Sequence, residues 1–272
     1  MSTLLVHQIR GSQPDLLAFV HFWQWERTVR LRLSDVLAAG DLKMLFQPIF
    51  ALQGESRRPR GYEALARFPV APRIPVGLWF RVASEMGLAH DLELAAAQKA
   101  AEVFPRLPDD SLLFVNASLT TAIDLANQMP GQMTSRLVVD IPYTAMADPE
   151  YRSVFHRLWE VGAEVAIDDV PGRDLDTVRT MLLALHPDYV KADVITGLTD
   201  DPMARFNLAE AAVWCQESDI TLIAERVGKV TDLAVLYDLG VQWAQGYSLA
   251  RPAEPDRWDQ IIRLPVSDVD HR

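Results

Sequence analysis

Phe46-Gln47-Pro48-Ile49, followed by Gly61-Tyr62-Glu63-Ala64-Leu65-Ala66-Arg67, is where the reading of this chain begins. The second stretch carries a carboxylate and a guanidinium four residues apart in an otherwise apolar segment. Alternate residues of a strand share a face, so Glu63, Leu65 and Arg67 look the same way. One face then offers an acid for a metal ion and an arginine for a phosphate. Working outward, short apolar segments recur along the chain. Candidate strands are residues 44–50, 61–67, 112–116, 137–141, 164–168, 189–192, 221–225 and 242–247.

The intervening segments read as helices. Residues 93–101 are rich in good helix formers, and 174–185 space apolar residues at helical intervals. Asp148-Pro149 reads as an N-cap with proline at the first helical position. Gly162 and Gly240 stand where a helix should stop before the next strand. Eight strands interleaved with helices predict an α/β fold, a (βα)8 TIM-like barrel. On that frame a polar group closes nearly every strand: Glu63, Asn116, Asp140, Asp168-Asp169, Lys191 with Asp193, Glu225 and Gln245. Chemistry in such barrels sits at the C-terminal face, so these groups form a convergent ring.

Composition bounds the alternatives. The 272 residues are 49% hydrophobic and 23% charged, which suits one large globular unit. A net charge of −11 disfavours nucleic acid and anionic membrane as partners, since both are held by lysine and arginine. A phosphate-bearing substrate stays compatible if metal ions reverse the local sign. The single cysteine, Cys215, excludes an intrachain disulfide and points to a cytoplasmic address. The longest apolar run, residues 16–25, contains His21 and Gln24 and falls short of the about 20 residues that span a bilayer. It reads as an amphipathic helix packed on the domain.

The ring residues suit hard divalent cations. Mg²⁺ and Mn²⁺ prefer carboxylate, amide oxygen and water, and Glu63, Asn116, Asp140, Asp168, Asp169 and Glu225 supply five acids and one amide. Adjacent acids raise each other's pKa unless a cation sits between them. With two ions present, Asp168 could bridge them, and the pair would bind phosphodiester oxygens and acidify a water for in-line attack. Lys191 could hold that water or neutralise developing charge, and Arg67 could grip a second phosphate bidentately. Singly, each residue also has a plainer role: Asp168-Asp169 as a loop or capping pair, Lys191 as a surface charge, Arg67 as a structural ion-pair partner. Their joint placement at strand ends favours the site.

The pieces Phe46-Gln47-Pro48, Gly61 to Arg67, Val115-Asn116-Ala117-Ser118, Ile167-Asp168-Asp169, Lys191-Ala192-Asp193, Ala224-Glu225 and Gln245-Gly246-Tyr247 together resemble the EAL family of cyclic di-GMP phosphodiesterases. The resemblance runs from about residue 31 to 252. It implies a barrel with one strand antiparallel to the rest, frequent homodimerisation, and opening of cyclic di-GMP to linear pGpG with two Mg²⁺ or Mn²⁺ ions. By this resemblance Glu63, Asn116, Asp168, Asp169 and Glu225 are metal ligands, with Asp140 in the place of a further acid. Lys191 is the catalytic lysine, acting beside Glu63 and Asp168. Gln47, Leu65, Arg67 and Gln245 line the substrate pocket. The expected division is residues 1–30 as an N-terminal helical extension, 31–263 as the barrel domain and 264–272 as a C-terminal tail.

The chain departs from the family pattern in places. Glu-Ile-Thr-Glu reads Asp140-Ile141-Pro142-Tyr143, and Asp140 is shorter by roughly 1.5 Å. The loop Asp-Asp-Phe-Gly-Thr-Gly reads Asp168-Asp169-Val170-Pro171-Gly172-Arg173, and Ala-Glu-Gly-Val-Glu reads Ala224-Glu225-Arg226-Val227-Gly228. Groups that support metal ligands are typically worth about 10–100-fold in affinity or activity. Two readings follow: a weak phosphodiesterase, or a degenerate module that binds the dinucleotide or a protein partner without turnover. An unrelated metal-dependent barrel hydrolase is a third. The histidines show no zinc-like spacing, Cys215 reads as core filler, and Arg57-Arg58-Pro59-Arg60 reads as a solvated hairpin loop.

Overall fold

The computed structural model describes residues 16–53, 58–128, 131–172, 175–194, 198 and 201–258. Eight strands close a barrel in sequence order: β1 (Lys43–Ala51), β2 (Pro59–Arg67), β3 (Leu112–Asn116), β4 (Leu137–Pro142), β5 (Glu164–Pro171), β6 (Tyr189–Asp193), β7 (Thr221–Glu225) and β8 (Trp243–Ala244). The helices are α1 (Leu16–Ala39), α2 (Val76–Glu85), α3 (Ala89–Val103), α4 (Leu119–Gln128), α5 (Gly131–Thr134), α6 (Tyr151–Glu160), α7 (Leu175–Leu185), α8 (Pro202–Glu217) and α9 (Val230–Asp238). Strands β2 to β8 pair in parallel, whereas β1 meets β8 antiparallel through Phe50–Ala244 and Ala51–Trp243. The barrel and its one reversed strand are as expected.

Two compact units divide the chain: residues 1–42 with 67–92, and 43–66 with 93–272. In the first, α1 runs without a break across position 30 and buries Val29, Leu33 and Val36, spaced as one helical stripe. Glu26 on α1 accepts from Arg30 at 2.9 Å and from Arg81 of α2 at 3.3 Å, and Phe68 stacks on Trp79 with ring centroids 4.3 Å apart. Among the described residues no helix is long and apolar enough to cross a membrane.

The second unit holds the barrel core. Ile49, Phe114, Val138, Ala166, Tyr189 and Ile223 form one buried cluster, with Leu112 and Trp243 packed against it. The Phe114 and Tyr189 rings meet edge to face at 5.3 Å, and Tyr189 and Trp243 lie 5.4 Å apart. Gly61 occupies the β2 position in this layer. A Cβ there would lie 2.7 Å from the Phe114 ring, so the absence of a side chain makes the room that Phe114 fills.

Local signals act largely as expected. Gly162 and Gly240 follow the last residues of α6 and α9 with φ of +84° and +80°, the left-handed stop of a helix. The Asp148-Pro149 expectation is corrected: α6 begins at Tyr151, and Asp148 Oδ1 instead accepts from the Glu150 N–H at 2.9 Å in a tight turn. The aspartate-proline start operates at α8, where Asp201 accepts from the N–H groups of Met203 and Ala204. Strand β8 is shorter than the expected 242–247, because beyond Ala244 the backbone closes on Val227. Cβ placed on Gly246 would sit 2.3 Å from the Val227 carbonyl oxygen, which explains the glycine in Gln245-Gly246-Tyr247. Of the expected basic loop, Pro59 and Arg60 open β2, and Arg57 lies outside the described residues, as do residues 264–272.

Candidate metal centre

A polar layer lies directly above the apolar one, and strand alternation builds it. Two residues beyond each core position the side chain returns to the barrel interior. Phe114 is followed so by Asn116, Val138 by Asp140, Ala166 by Asp168, Tyr189 by Lys191, Ile223 by Glu225, Trp243 by Gln245, and Gly61 by Glu63. On the reversed β1 the same step runs backwards, from Ile49 to Gln47. Every strand thus contributes one polar side chain. Seven of the eight are buried; Asn116 is exposed.

Lys191 stands at the centre with no exposed surface. Its Nζ lies 2.8 Å from Asp140 Oδ2, 3.0 Å from Glu225 Oε1, 3.1 Å from Asp168 Oδ1 and 3.7 Å from Glu63 Oε1. The reading of Lys191 as a surface charge is therefore overturned. Glu63 is fixed from two sides: Asn116 Nδ2 donates to Oε1 at 2.9 Å, and Gln245 Nε2 donates to Oε2 at 2.6 Å. Gln245 also donates to Gln47 Oε1 at 3.2 Å, and Gln47 in turn donates to the Ala250 carbonyl at 3.0 Å. Eight of the eleven expected site residues, all but Leu65, Arg67 and Asp169, thus form one connected network. Leu65 is half-buried on the strand face of Glu63, and Arg67, also half-buried, ends β2.

Asp169 joins by a different device. β5 loses register with β6 between Ile167 and Val170, and Asp169 takes φ of +55°. Plain alternation would turn Asp169 away from Asp168; the bulge brings both to the mouth. Beyond it β5 resumes, with Val170 opposite Ala192 and Pro171 opposite Asp193. The expected altered loop at 170–173 is therefore strand up to Pro171, and Arg173 lies outside the described residues.

Electrostatics show what the ring lacks. Four carboxylates face one ammonium, which leaves three negative charges uncompensated when all four ionise. Burial pushes the carboxyls of Asp140 and Glu225 well above their usual range, against the pull of Lys191. Burial acts the same way on Asp168, but there Lys191 outweighs it and holds the group low. Burial, and then Asp168, raise Asp169. Burial would depress Lys191, yet the surrounding acids hold it well above the ordinary lysine value. The acids form two triads, Glu63/Asp140/Asp168 and Asp168/Asp169/Glu225, each with oxygens within 4.8 Å of one another. Asp168 is common to both. Buried Asp140 Oδ1 and Gln245 Oε1 accept no hydrogen bond, and Asp168 Oδ1 faces the Lys191 ammonium at 3.1 Å. Oxygen donors, excess negative charge and unsatisfied buried acceptors fit divalent cations. The shorter Asp140 still reaches its triad. The amide nitrogen of Asn116 is committed to Glu63, so its oxygen is the atom left for an ion.

One polar residue at the mouth, Arg226, escaped the sequence reading as a participant. Arg226 pairs with Asp169 through Nη2 and with Asp193 Oδ2 through Nη1 at 2.9 Å. The available signal was an arginine directly after Glu225, itself a strand-end acid. Tyr143 opens a 3₁₀ turn, Tyr143–Ala147, just after β4, and Gly228 is exposed. No histidine belongs to a metal-competent cluster among the described residues, and Cys215 is buried with its thiol pushed up by burial.

Fold and ring together define a (βα)8 barrel with one reversed strand and an acid-rich mouth. The profile of the EAL domain matches residues 30–252, and the chain belongs to the EAL-domain family. Solved structures share the fold. The Xanthomonas citri FimX EAL domain in complex with c-diGMP matches with a TM-score of 0.70 at 17% identity, over 88% of this chain and 97% of that one. The Klebsiella pneumoniae BlrP1 complex with manganese and cy-diGMP matches with a TM-score of 0.66 at 21% identity, over 78% of this chain and 56% of that one. The Bacillus subtilis YkuI protein, in complex with c-di-GMP and calcium, matches with a TM-score of 0.62 at 20% identity, over 83% of this chain and 60% of that one. Among curated proteins none matches.

Proposed function

We propose that this chain is a metal-dependent phosphodiesterase that opens cyclic di-GMP to linear pGpG. The observation that carries this reading is the pair of carboxylate triads sharing Asp168 around the buried Lys191. Glu63, Asp140, Asp168, Asp169 and Glu225, with the amide oxygen of Asn116, would hold two Mg²⁺ or Mn²⁺ ions. Such ions neutralise phosphate charge and acidify a water. The chain's own residues do the rest. Asn116 and Gln245 hold the Glu63 carboxylate in one rotamer. Lys191, held charged by the surrounding acids, would donate hydrogen bonds toward the reacting phosphate and offset the charge that builds on it. Gln47 and Gln245 offer amide groups to the dinucleotide, with Leu65 and Arg67 further along the Glu63 face. FimX, BlrP1 and YkuI, which share the fold, were each solved with the dinucleotide.

One observation favours a second reading, a binding module with little turnover. The Asp169 carboxylate is already engaged by Arg226. Purified protein with Mn²⁺ and cyclic di-GMP separates the two. Formation of pGpG that disappears in Glu63→Ala supports the enzyme. Tight, metal-dependent binding without product at high protein concentration supports the module.

A further inference from the structure

The two triads are not equivalent, and a single residue makes them differ. Glu63/Asp140/Asp168 is paired with Lys191. Asp168/Asp169/Glu225 has a second cation: the Arg226 guanidinium, seated on Asp169 and braced by Asp193 at 2.9 Å. Arg226 has φ of +57° and Asp169 φ of +55°, so an uncommon backbone shape at the ends of β7 and β5 brings the two together. The three participants come from consecutive strands, β5, β6 and β7, so the bracing is part of the barrel rim. The arginine side chain is 61% exposed, free to leave its partners without breaking the core.

A guanidinium on a carboxylate does to a metal site what a bound ion would do. It consumes acceptor lone pairs and cancels local negative charge. A divalent cation approaching Asp169 therefore meets a positive charge and must displace it. We propose that Arg226 is a built-in counter-cation that ranks the two positions. An ion fills Glu63/Asp140/Asp168 first, and Asp168/Asp169/Glu225 fills only when Arg226 swings out toward solvent. This rests on the metal-binding reading above and adds an order of filling. Arg226 is in this sense a positioning residue, acting through Asp169 rather than on substrate.

The test is Mn²⁺ titration of the full chain, followed by calorimetry and by the electron-spin signal of free Mn²⁺, with no dinucleotide present. Wild type should show one strong site and a second at least about tenfold weaker. Arg226→Gln removes the charge but keeps a side chain on the bent backbone; Arg226→Gly also relieves the backbone. Both should strengthen the second step about tenfold or more, while the first stays unchanged. Arg226→Lys keeps the charge and should leave the second step weak. Gain in Arg226→Gly alone would mean backbone relief, not charge, and would overturn the proposal. Two equal sites in wild type would overturn it while leaving the metal reading intact. No Mn²⁺ bound by any variant would overturn both.

Discussion

Replacing Lys191 by methionine tests the electrostatic core of the barrel mouth. The two side chains are close in length, so packing is largely kept while the charge goes. Coulomb's law at an effective dielectric of about 20 gives about 6 kcal/mol for the contact to Asp140 at 2.8 Å and about 4.5 kcal/mol for that to Glu63 at 3.7 Å. These do not add, because desolvating the lysine and crowding four acids cancel most of the sum. Removing one partner of a buried pair costs about 3–5 kcal/mol, and this is the loss expected at pH 7. The sign with pH follows from the directions of the shifts. Asp140 and Glu225, already raised, favour folding below their unfolded values near 3.8 and 4.5 and lose that contribution as pH rises through their higher folded values. Asp168, held low by Lys191, contributes above 3.8 and loses that contribution as pH falls. Lys191, raised above 10.5, contributes throughout the neutral range and is lost only above its folded value. Without it the acids are raised further, so the deficit of Lys191→Met should be largest at pH 7 to 8 and shrink toward pH 4. Urea unfolding at a series of pH values reads both quantities. A deficit below about 1 kcal/mol at pH 7, or one that does not change with pH, would refute the assignment of Lys191 as the charge that holds the ring together.

Two other residues give independent checks. Glu164 accepts from the Tyr189 hydroxyl at 2.8 Å, and burial raises its carboxyl, so its ionised form disfavours folding as pH rises through the folded value. Glu164→Gln keeps an acceptor for Tyr189 and should be more stable than wild type at pH 7 by about 0.5 kcal/mol, the scale of a half-solvated charge; the gain should vanish near pH 4, which denaturant midpoints at both pH values will show. Gly246→Ala forces a methyl onto the Val227 backbone and should lower stability by about 1–3 kcal/mol or more, and an unchanged melting curve would contradict the close approach.

Most of the site was legible because it follows from one geometrical rule. Strand residues two apart share a face, so once eight strands were placed, Asp140, Asp168, Lys191 and Glu225 had to converge. The reversed β1 came from family resemblance instead: alternation in residues 44–50 looks the same in either direction. The bulge at Asp169 was hidden for a related reason. A positive φ at an aspartate follows from how β5 meets β6, a contact between segments distant in sequence. Arg226 escaped because a lone arginine beside an acid resembles any surface charge until the end of β7 is set across β6 from the bulge of β5. The shortened β8 also depends on a distant partner, the Val227 backbone.

The charge of Lys191 is set by the acids that surround it. A lysine serves as a general base only when its pKa falls toward neutrality, which burial alone would achieve. Here burial is opposed by Asp140, Asp168, Glu225 and Glu63, and the acids prevail. In this ring of acids Lys191 is held as an ammonium, placed to donate hydrogen bonds and to neutralise charge. Divalent ions drawn to the same oxygens would compete with it for Asp168, the carboxylate both triads share. On the proposed reading, looser ties to Asp168 would leave the Lys191 ammonium free to face a phosphate oxygen.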